Sequence, residues 1–406
     1  MLKYKNNVLF VEEVALNRIA DKTDTPLYVY SRQKLLDNFN QFNRAFSEIN
    51  HIVCYAVKAN GSPYLLKILA KKGCGCDIVS SGELKLALAC GINPRKIVFA
   101  GVGKMESEIK EAVSADILMF NVESIPELYN IANAAKSLGK TASISFRVNP
   151  DINAKTHPHI TTGLSYNKFG LCPEDAMEGY LLAKGLKGIN IVGIHCHIGS
   201  QITDIGSFVL ASKKISVFIE KLKSAGINLK YIDMGGGLGI KYGNSNVISP
   251  DDYAKAITSH LPKGHVLILE PGRFMTAETG ILVTKVVYVK KTAKKNFIIV
   301  DAGMNDLVRP AIYDAYHEII PVLKKKGTLH NWNIAGPICE SADVFAKDRK
   351  FPPVVEGDYI AILCAGAYGY SMSSNYNMRP RPAEVIVEGN RWKIIRKREN
   401  IERLLK

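Results

Sequence analysis

Three polar features of this sequence each follow an apolar run, where a buried strand would deliver them to a site. The first is Lys58 in "HIVCYAVKAN", just ahead of the breaker Gly61-Ser62-Pro63. A lysine at the tip of a buried strand carries a costly charge unless it is paired. Burial favours its neutral amine, a nucleophile toward carbonyls and aldehydes. The plainer alternative is a lysine that snorkels to water. The second feature is Gly235-Gly236-Gly237 in "DMGGGLGI", where missing side chains let backbone N–H groups approach an anion such as phosphate. The third is Glu270 in "EPGR", an acid able to pair with a protonated ring nitrogen.

Other polar residues end other apolar runs. Asp77 and Ser80 flank the second, Arg147 and Asn149 end the fifth, His195 and His197 the sixth, and Asp233 the seventh. Singly, each has an ordinary structural reading: a strand-end histidine as a satisfied core residue, a glycine triplet as a turn. Together they meet the needs of pyridoxal 5'-phosphate. Lys58 would bond its aldehyde carbon. Gly235, Gly236, Gly237 and the Ser200 hydroxyl of "HIGSQ" would hold its phosphate. Glu270 would face its pyridine nitrogen, and His197 would stack on the ring. The set calls for no metal, and Cys74-Gly75-Cys76 has no second ligand pair at zinc spacing.

The elements that must position these residues follow a rhythm. Strand-like runs occur at "HIVCYAV", "CDIVS", "KIVFA", "DILMFN", "ASISFRVN", "INIVGIHCH", "KYIDMG" and "HVLILEP", with helical patterns between most of them, such as "SIPELYNIANAAKSLG". Eight strands are the number that closes a parallel (β/α)8 TIM-like barrel, and such barrels gather function at the C-terminal ends of their strands. An open doubly wound sheet is the competing architecture. After about Gly272 the runs are joined by turns, as in "TGILVTKVVYVKKT", "NFIIVDAG", "DYIAILCAG" and "PAEVIVEGNRWKIIRK", which predicts a mainly antiparallel β domain. One helix, roughly 309–319, interrupts it. The expected organisation is a cofactor-binding barrel over 31–275 and a β domain made of 1–30 and 276–406. The early strands join the β domain because a closed eight-stranded barrel has no place for them.

Lys+Arg 53 against Asp+Glu 38 gives a formal net charge of +15. The lysines are scattered through segments such as "KLKSAG" and "VKKTAKK", without a basic helix interleaved with aromatics, so nucleic acid is not an expected partner. No apolar run reaches membrane-spanning length. The cysteines lie mostly in apolar runs with no secretory signal ahead of them, which predicts reduced thiols and a cytoplasmic protein.

The β domain holds a second candidate set: Arg309 and Tyr313 in "DAGMNDLVRPAIYDAYH", Cys339 and Glu340 in "GPICESAD", and Tyr368 in "AGAYGYSMSSNYNMRPRPAEV". Arg309 before Pro310 also reads as a helix start, and Cys339 as a small buried hydrophobe. With "YAVKAN", "GCGCDIVSSGEL", "RVNP…KTHPHITTGLSYNKFG", "GIHCHIGSQ", "DMGGGLGI" and "EPGR", these stretches span nearly the whole chain. They resemble the diaminopimelate decarboxylases, within the pyridoxal-phosphate group that pairs an alanine-racemase-like barrel with a β domain. "EPGR" or "HIGSQ" alone fits several related decarboxylases. The Arg309/Tyr313 stretch and "GPICESAD" point to the diaminopimelate branch rather than to ornithine or arginine decarboxylases.

The resemblance implies roles residue by residue. Lys58 carries the cofactor. Gly237, Ser200 and the backbone of Glu270, Pro271, Gly272 and Arg273 hold its phosphate, with Asp77, Gly235 and Gly236 in the same cofactor set. Glu270 contacts the pyridine nitrogen and His197 stacks. Arg273, Arg309, Tyr313, Glu340 and Tyr368 bind substrate, Tyr368 also lying near the cofactor. Cys339 is the proton donor, supplied by the partner subunit of a homodimer. The implied reaction is decarboxylation of meso-2,6-diaminopimelate to L-lysine and CO2, the last step of lysine biosynthesis. The alternatives are a related basic-amino-acid decarboxylase or racemase and a non-catalytic, regulatory pyridoxal-phosphate-binding protein.

Overall fold

The computed structural model describes residues 1–152, 168–243 and 246–405. The stretch "KTHPHITTGLSYN" of the family-like motif, 155–167, lies outside the described residues. Among those described, eight parallel strands close into a barrel in sequence order: His51–Ala56, Gly75–Ile78, Ile97–Phe99, Met119–Val122, Ala142–Arg147, Ile189–His195, Tyr231–Asp233 and Val266–Leu269. All eight expected runs form strands, and closure excludes the open sheet. The helices between them start where side chains satisfy the first free N–H groups. Ser80, Ser124 and Ser249 accept from Glu83, Glu127 and Asp252 N–H at 3.2, 3.3 and 3.1 Å. Ser80, a candidate for chemistry in the sequence, is thus the cap of the helix Ser81–Ala89.

Register is what brings the polar strand ends together. Ala56 aligns with Asp77 across the first pair of strands. His195 aligns with both Arg147 and Asp233 across the sixth strand's two neighbours. Beneath this level Cys54, Val98, Met119 and Ile268, from four barrel strands, form an apolar cluster. Side chains alternate along a strand, so Asn121 and Glu270, two residues beyond Met119 and Ile268, continue the same interior column with polar groups. Burying each apolar side chain of that floor contributes roughly 1.5–3 kcal/mol, against which the polar level above it is held in place.

The chain divides into two compact units. One holds Phe39–Ile240 and Asn246–Phe274; the other holds Met1–Asn38, a short segment beginning at Lys241, and the chain from Met275 onward. In the second, seven strands run in the order Val344–Phe351, His330–Ala335, Asn296–Val300, Gly280–Lys291, Leu27–Ser31, Ala383–Glu388 and Arg391–Arg396, with Tyr359–Ile362 and Ile319–Pro321 paired off that path. Most pairs are antiparallel; Leu27–Ser31 with Ala383–Glu388 and Asn296–Val300 with His330–Ala335 are parallel.

Two local expectations change. The helix at Arg309 runs only to Tyr313, because Asp314 takes a left-handed conformation (φ +46°) that stops it. Ile319–Pro321 then pairs as a strand with Tyr359–Ile362. The opening segment holds a helix, Leu16–Thr23, besides its strands. No helix among the described residues is long and apolar enough to cross a membrane.

Candidate active site

Lys58 lies in a single 3-10 turn, Val57–Ala59, directly after the first barrel strand. Its Nζ donates to Asp77 Oδ2 at 2.6 Å. Asp77 is fully buried at the end of the adjacent strand, whereas the Lys58 side chain is 39% exposed. The expectation of a lysine walled off from water is therefore corrected: the turn carries Lys58 past the strand end, and a buried carboxylate secures it. Burial and the Glu270 charge push Asp77 up to about 7, against the opposing pull of Lys58. Asp77 Oδ1 is buried with no hydrogen-bond partner among the described residues.

A second group sits at the ends of the sixth, seventh and eighth strands, the eighth being paired with the strand that leads into Lys58. Ligand atoms of His195, Asp233 and Glu270 lie within 4.8 Å of one another, all buried, with His195 Nε2 3.5 Å from Glu270 Oε2. Asn121 Nδ2 donates to Asp233 Oδ2 and to Glu270 Oε1, each at 3.3 Å. Ser145 Oγ donates to Asn121 Oδ1 at 2.6 Å, which fixes the amide so that its donors face the two acids. Burial drives Asp233 well above the carboxylate range, and the Glu270 charge adds to this. Burial lowers His195. In Glu270 the upward push of burial is outweighed by the pull of His195 and Lys58, which holds the carboxyl below its ordinary range. Two carboxylates this close and this buried favour one negative charge between them over two. That charge suits a cation facing Glu270, such as a protonated ring nitrogen.

Asn121 and Ser145 were not singled out from the sequence. Asn121 does end the run "DILMFN", the same strand-end signal that marked the other residues. Arg147 is spent on a buried ion pair with Glu123 at 3.1 Å, and Asn149 on the Phe169 carbonyl at 3.4 Å.

The glycine triplet has a packing reason of its own. A Cβ on Gly236 would stand 2.2 Å from the Glu270 carbonyl, and Gly237 has φ +106°. Their glycine identity is therefore set by close backbone approach, before any ligand is considered. Gly236 N–H donates to His197 Nδ1 at 3.0 Å, which leaves the ring proton on Nε2. Burial, with the Arg147 and Lys58 charges, pushes His197 well below its usual value, so the ring is neutral. Gly235 N–H donates to Asp233 Oδ1 at 2.9 Å. Arg273 Nη2 donates to Ser200 Oγ at 3.0 Å, placing a guanidinium and a hydroxyl side by side; Pro271 and Gly272 are buried just before it. An amine seated on a buried carboxylate, a second buried carboxylate, a neutral ring and a guanidinium–hydroxyl pair are the donor set that pyridoxal 5'-phosphate requires, and the residues present fit it.

In the other unit, Arg309 and His317 are buried, and Arg309 Nη1 donates to Tyr242 Oη at 3.0 Å. Tyr313 and Tyr368 are half-buried, Tyr368 in the left-handed region at φ +56°. Cys339 and Glu340 are exposed, contrary to the reading of Cys339 as a buried hydrophobe. Cys339 N–H donates to Asn377 Oδ1 at 3.1 Å, and Glu340 accepts from the Tyr376 hydroxyl.

Residues 32–277 match the pyridoxal binding domain of the pyridoxal-dependent decarboxylases. The chain belongs to this class of pyridoxal-dependent decarboxylases. The chain is 50% identical over 403 residues to the diaminopimelate decarboxylase of Aquifex aeolicus, covering 99% of this chain and 96% of that protein. It is similar to the solved structure of diaminopimelate decarboxylase from Helicobacter pylori complexed with L-lysine, with TM-score 0.93, 43% identity, and 96% and 98% of the two chains covered. It is also similar to that from M. jannaschii in co-complex with L-lysine, with TM-score 0.95, 42% identity, and 100% and 96% covered. The chain belongs to the diaminopimelate decarboxylase family.

Proposed function

We propose that this protein is a pyridoxal 5'-phosphate-dependent carboxy-lyase that converts meso-2,6-diaminopimelate to L-lysine and CO2, the last step of lysine biosynthesis. The observation that carries this reading is the convergence, on the rim of one barrel, of a lysine seated on a buried aspartate and a buried glutamate held by Asn121 and His195. The cofactor, when bound, takes up the electron pair left by the departing carboxylate.

The chain's own residues do the rest. Lys58 holds the cofactor, and Asp77 holds Lys58 Nζ. Glu270 keeps a proton on the ring nitrogen, with Asn121 fixing the carboxylate in place. His197, neutral and secured by Gly236, covers the ring face. Gly235, Gly236, Gly237, Ser200, Pro271, Gly272 and Arg273 hold the phosphate. The family resemblance supports substrate binding by Arg273, Arg309, Tyr313, Glu340 and Tyr368. The remote end of the substrate bears an ammonium and a carboxylate, so its recognition needs both charge signs, which Glu340 and Arg309 supply. Cys339, exposed in its own unit, delivers a proton to the carbon that has lost CO2.

The same resemblance supports a homodimer with shared sites, in which a barrel of 31–275 binds the cofactor. The β domain, 1–30 and 276–406, then serves substrate binding and dimer formation. Cytoplasmic residence accords with the eight free thiols.

Release of L-lysine and CO2 from meso-2,6-diaminopimelate by the purified holoenzyme tests the function, with ornithine and arginine as comparison substrates. Glu270 is tested separately. Glu270→Gln keeps shape and removes the charge, so kcat should fall by about a hundredfold or more while cofactor affinity changes only a few-fold. Equal losses in both, measured by turnover and by cofactor titration, would make Glu270 a structural residue instead.

A further inference from the structure

Arg309 is gripped by residues of its own unit, and one of them, His317, has no part in the function derived so far. The His317 ring is fully buried. Its Nδ1 stands 2.7 Å from the carbonyl oxygen of Leu363, which can only accept, so Nδ1 carries the proton. Its Nε2 stands 2.8 Å from Arg309 Nη1, which can only donate, so Nε2 presents a lone pair. The two neighbours select one tautomer of a neutral ring. Leu363 is itself fixed, its N–H donating to the Glu318 carbonyl at 2.8 Å, and Arg349 Nη1 donates to the carbonyl of His317 at 3.2 Å.

Tyr242 completes the grip. Its hydroxyl accepts from the same Nη1 at 3.0 Å, and its ring faces the guanidinium at 5.0 Å and meets the His317 ring edge-on at 5.6 Å. A guanidinium is planar, so fixing one nitrogen and one face sets the directions of all its donors.

We propose that His317 is a positioning residue for substrate selection: through Arg309 it pre-orients the guanidinium for the carboxylate at the unreacted end of the substrate. This rests on the reading of Arg309 as a substrate-binding residue. Because that end is carried unchanged from substrate to product, His317 acts on the binding of both and leaves the chemical step alone.

The test compares His317→Phe, His317→Gln and Arg309→Ala holoenzymes with the wild type. Phenylalanine keeps a ring against Tyr242 but offers no acceptor; glutamine Oε1 can accept from Nη1. For His317→Phe, the KM for meso-2,6-diaminopimelate and the inhibition constant of L-lysine should rise together, by about tenfold or more, with kcat within about twofold. The glutamine variant should recover most of the loss.

Unchanged KM and inhibition constant in His317→Phe, alongside large increases in Arg309→Ala, overturn the proposal. So does a glutamine variant as impaired as the phenylalanine one, which would reduce His317 to packing. Unchanged constants in Arg309→Ala overturn the underlying reading of Arg309 and the proposal with it, a result distinct from the other two. A measurement independent of any variant's folding is the 15N spectrum of histidine-labelled wild-type enzyme. A proton on His317 Nδ1 and a lone pair on Nε2 are expected, and the opposite tautomer overturns the proposal.

Discussion

Lys58→Ala enzyme, purified with excess pyridoxal 5'-phosphate, should retain no borohydride-fixed cofactor on the Lys58 peptide and should lose on the order of a thousandfold or more in decarboxylation, as removal of a nucleophile does elsewhere. The chain has many lysines, but Lys58 is set apart by its seat: a strand-end turn, with Nζ 2.6 Å from a fully buried carboxylate. Alanine also leaves Asp77 without that partner, and Asp77 already sits near 7. Its carboxyl should take up a proton rather than remain ionised, so the variant should fold. Peptide mapping after reduction checks the assignment. Cofactor trapped on a different lysine would move the site.

The second large effect is recovery of activity by mixing two inactive proteins. Lys58→Ala and Cys339→Ala homodimers should each be nearly inactive. Lys58 belongs to the barrel unit, while Cys339 lies exposed on the other unit, on a turn that bonds to Asn377. In the arrangement implied by the family, Cys339 serves the neighbour's cofactor. A mixed dimer then contains one site with both residues intact and one with neither. Random reassortment puts half the dimers in the mixed form, so activity should return to about a quarter of wild type. Subunit exchange is verified with differently tagged chains. Verified exchange without recovered activity would place Cys339 in the same chain's site or outside the chemistry.

Much of the barrel was legible because its signals are local: apolar runs of strand length, serine caps and polar residues just past each run. Convergence of those polar ends needs only register, so Asp77 beside Lys58 and Asp233 beside His195 follow from the pattern. What the pattern left out is informative. The glycine triplet, read as a phosphate signal, has a packing reason as well: a Cβ on Gly236 would stand 2.2 Å from the Glu270 carbonyl. Lys58 was read as walled off, and one 3-10 turn decides otherwise.

Asn121 and Ser145 escaped because their importance lies in partners distant in sequence: Asn121 meets Glu270 across 149 positions. His317 lies only eight positions from Arg309, but its tautomer is set by the Leu363 carbonyl 46 positions on. The strand Val344–Phe351 was missed for another reason. Its centre, Lys347-Asp348-Arg349-Lys350, is charged and carries a left-handed Asp348, so no two-residue alternation marks it.

The identity of the substrate is the central claim, and product analysis tests it most directly. Purified holoenzyme incubated with meso-2,6-diaminopimelate should release L-lysine and CO2 in equal amounts, with ornithine and arginine decarboxylated at least about a hundredfold more slowly, since both lack the remote carboxylate that Arg309 is proposed to read. Putrescine formed from ornithine at a comparable or higher rate, or no lysine from diaminopimelate under conditions where the cofactor is bound, would contradict it.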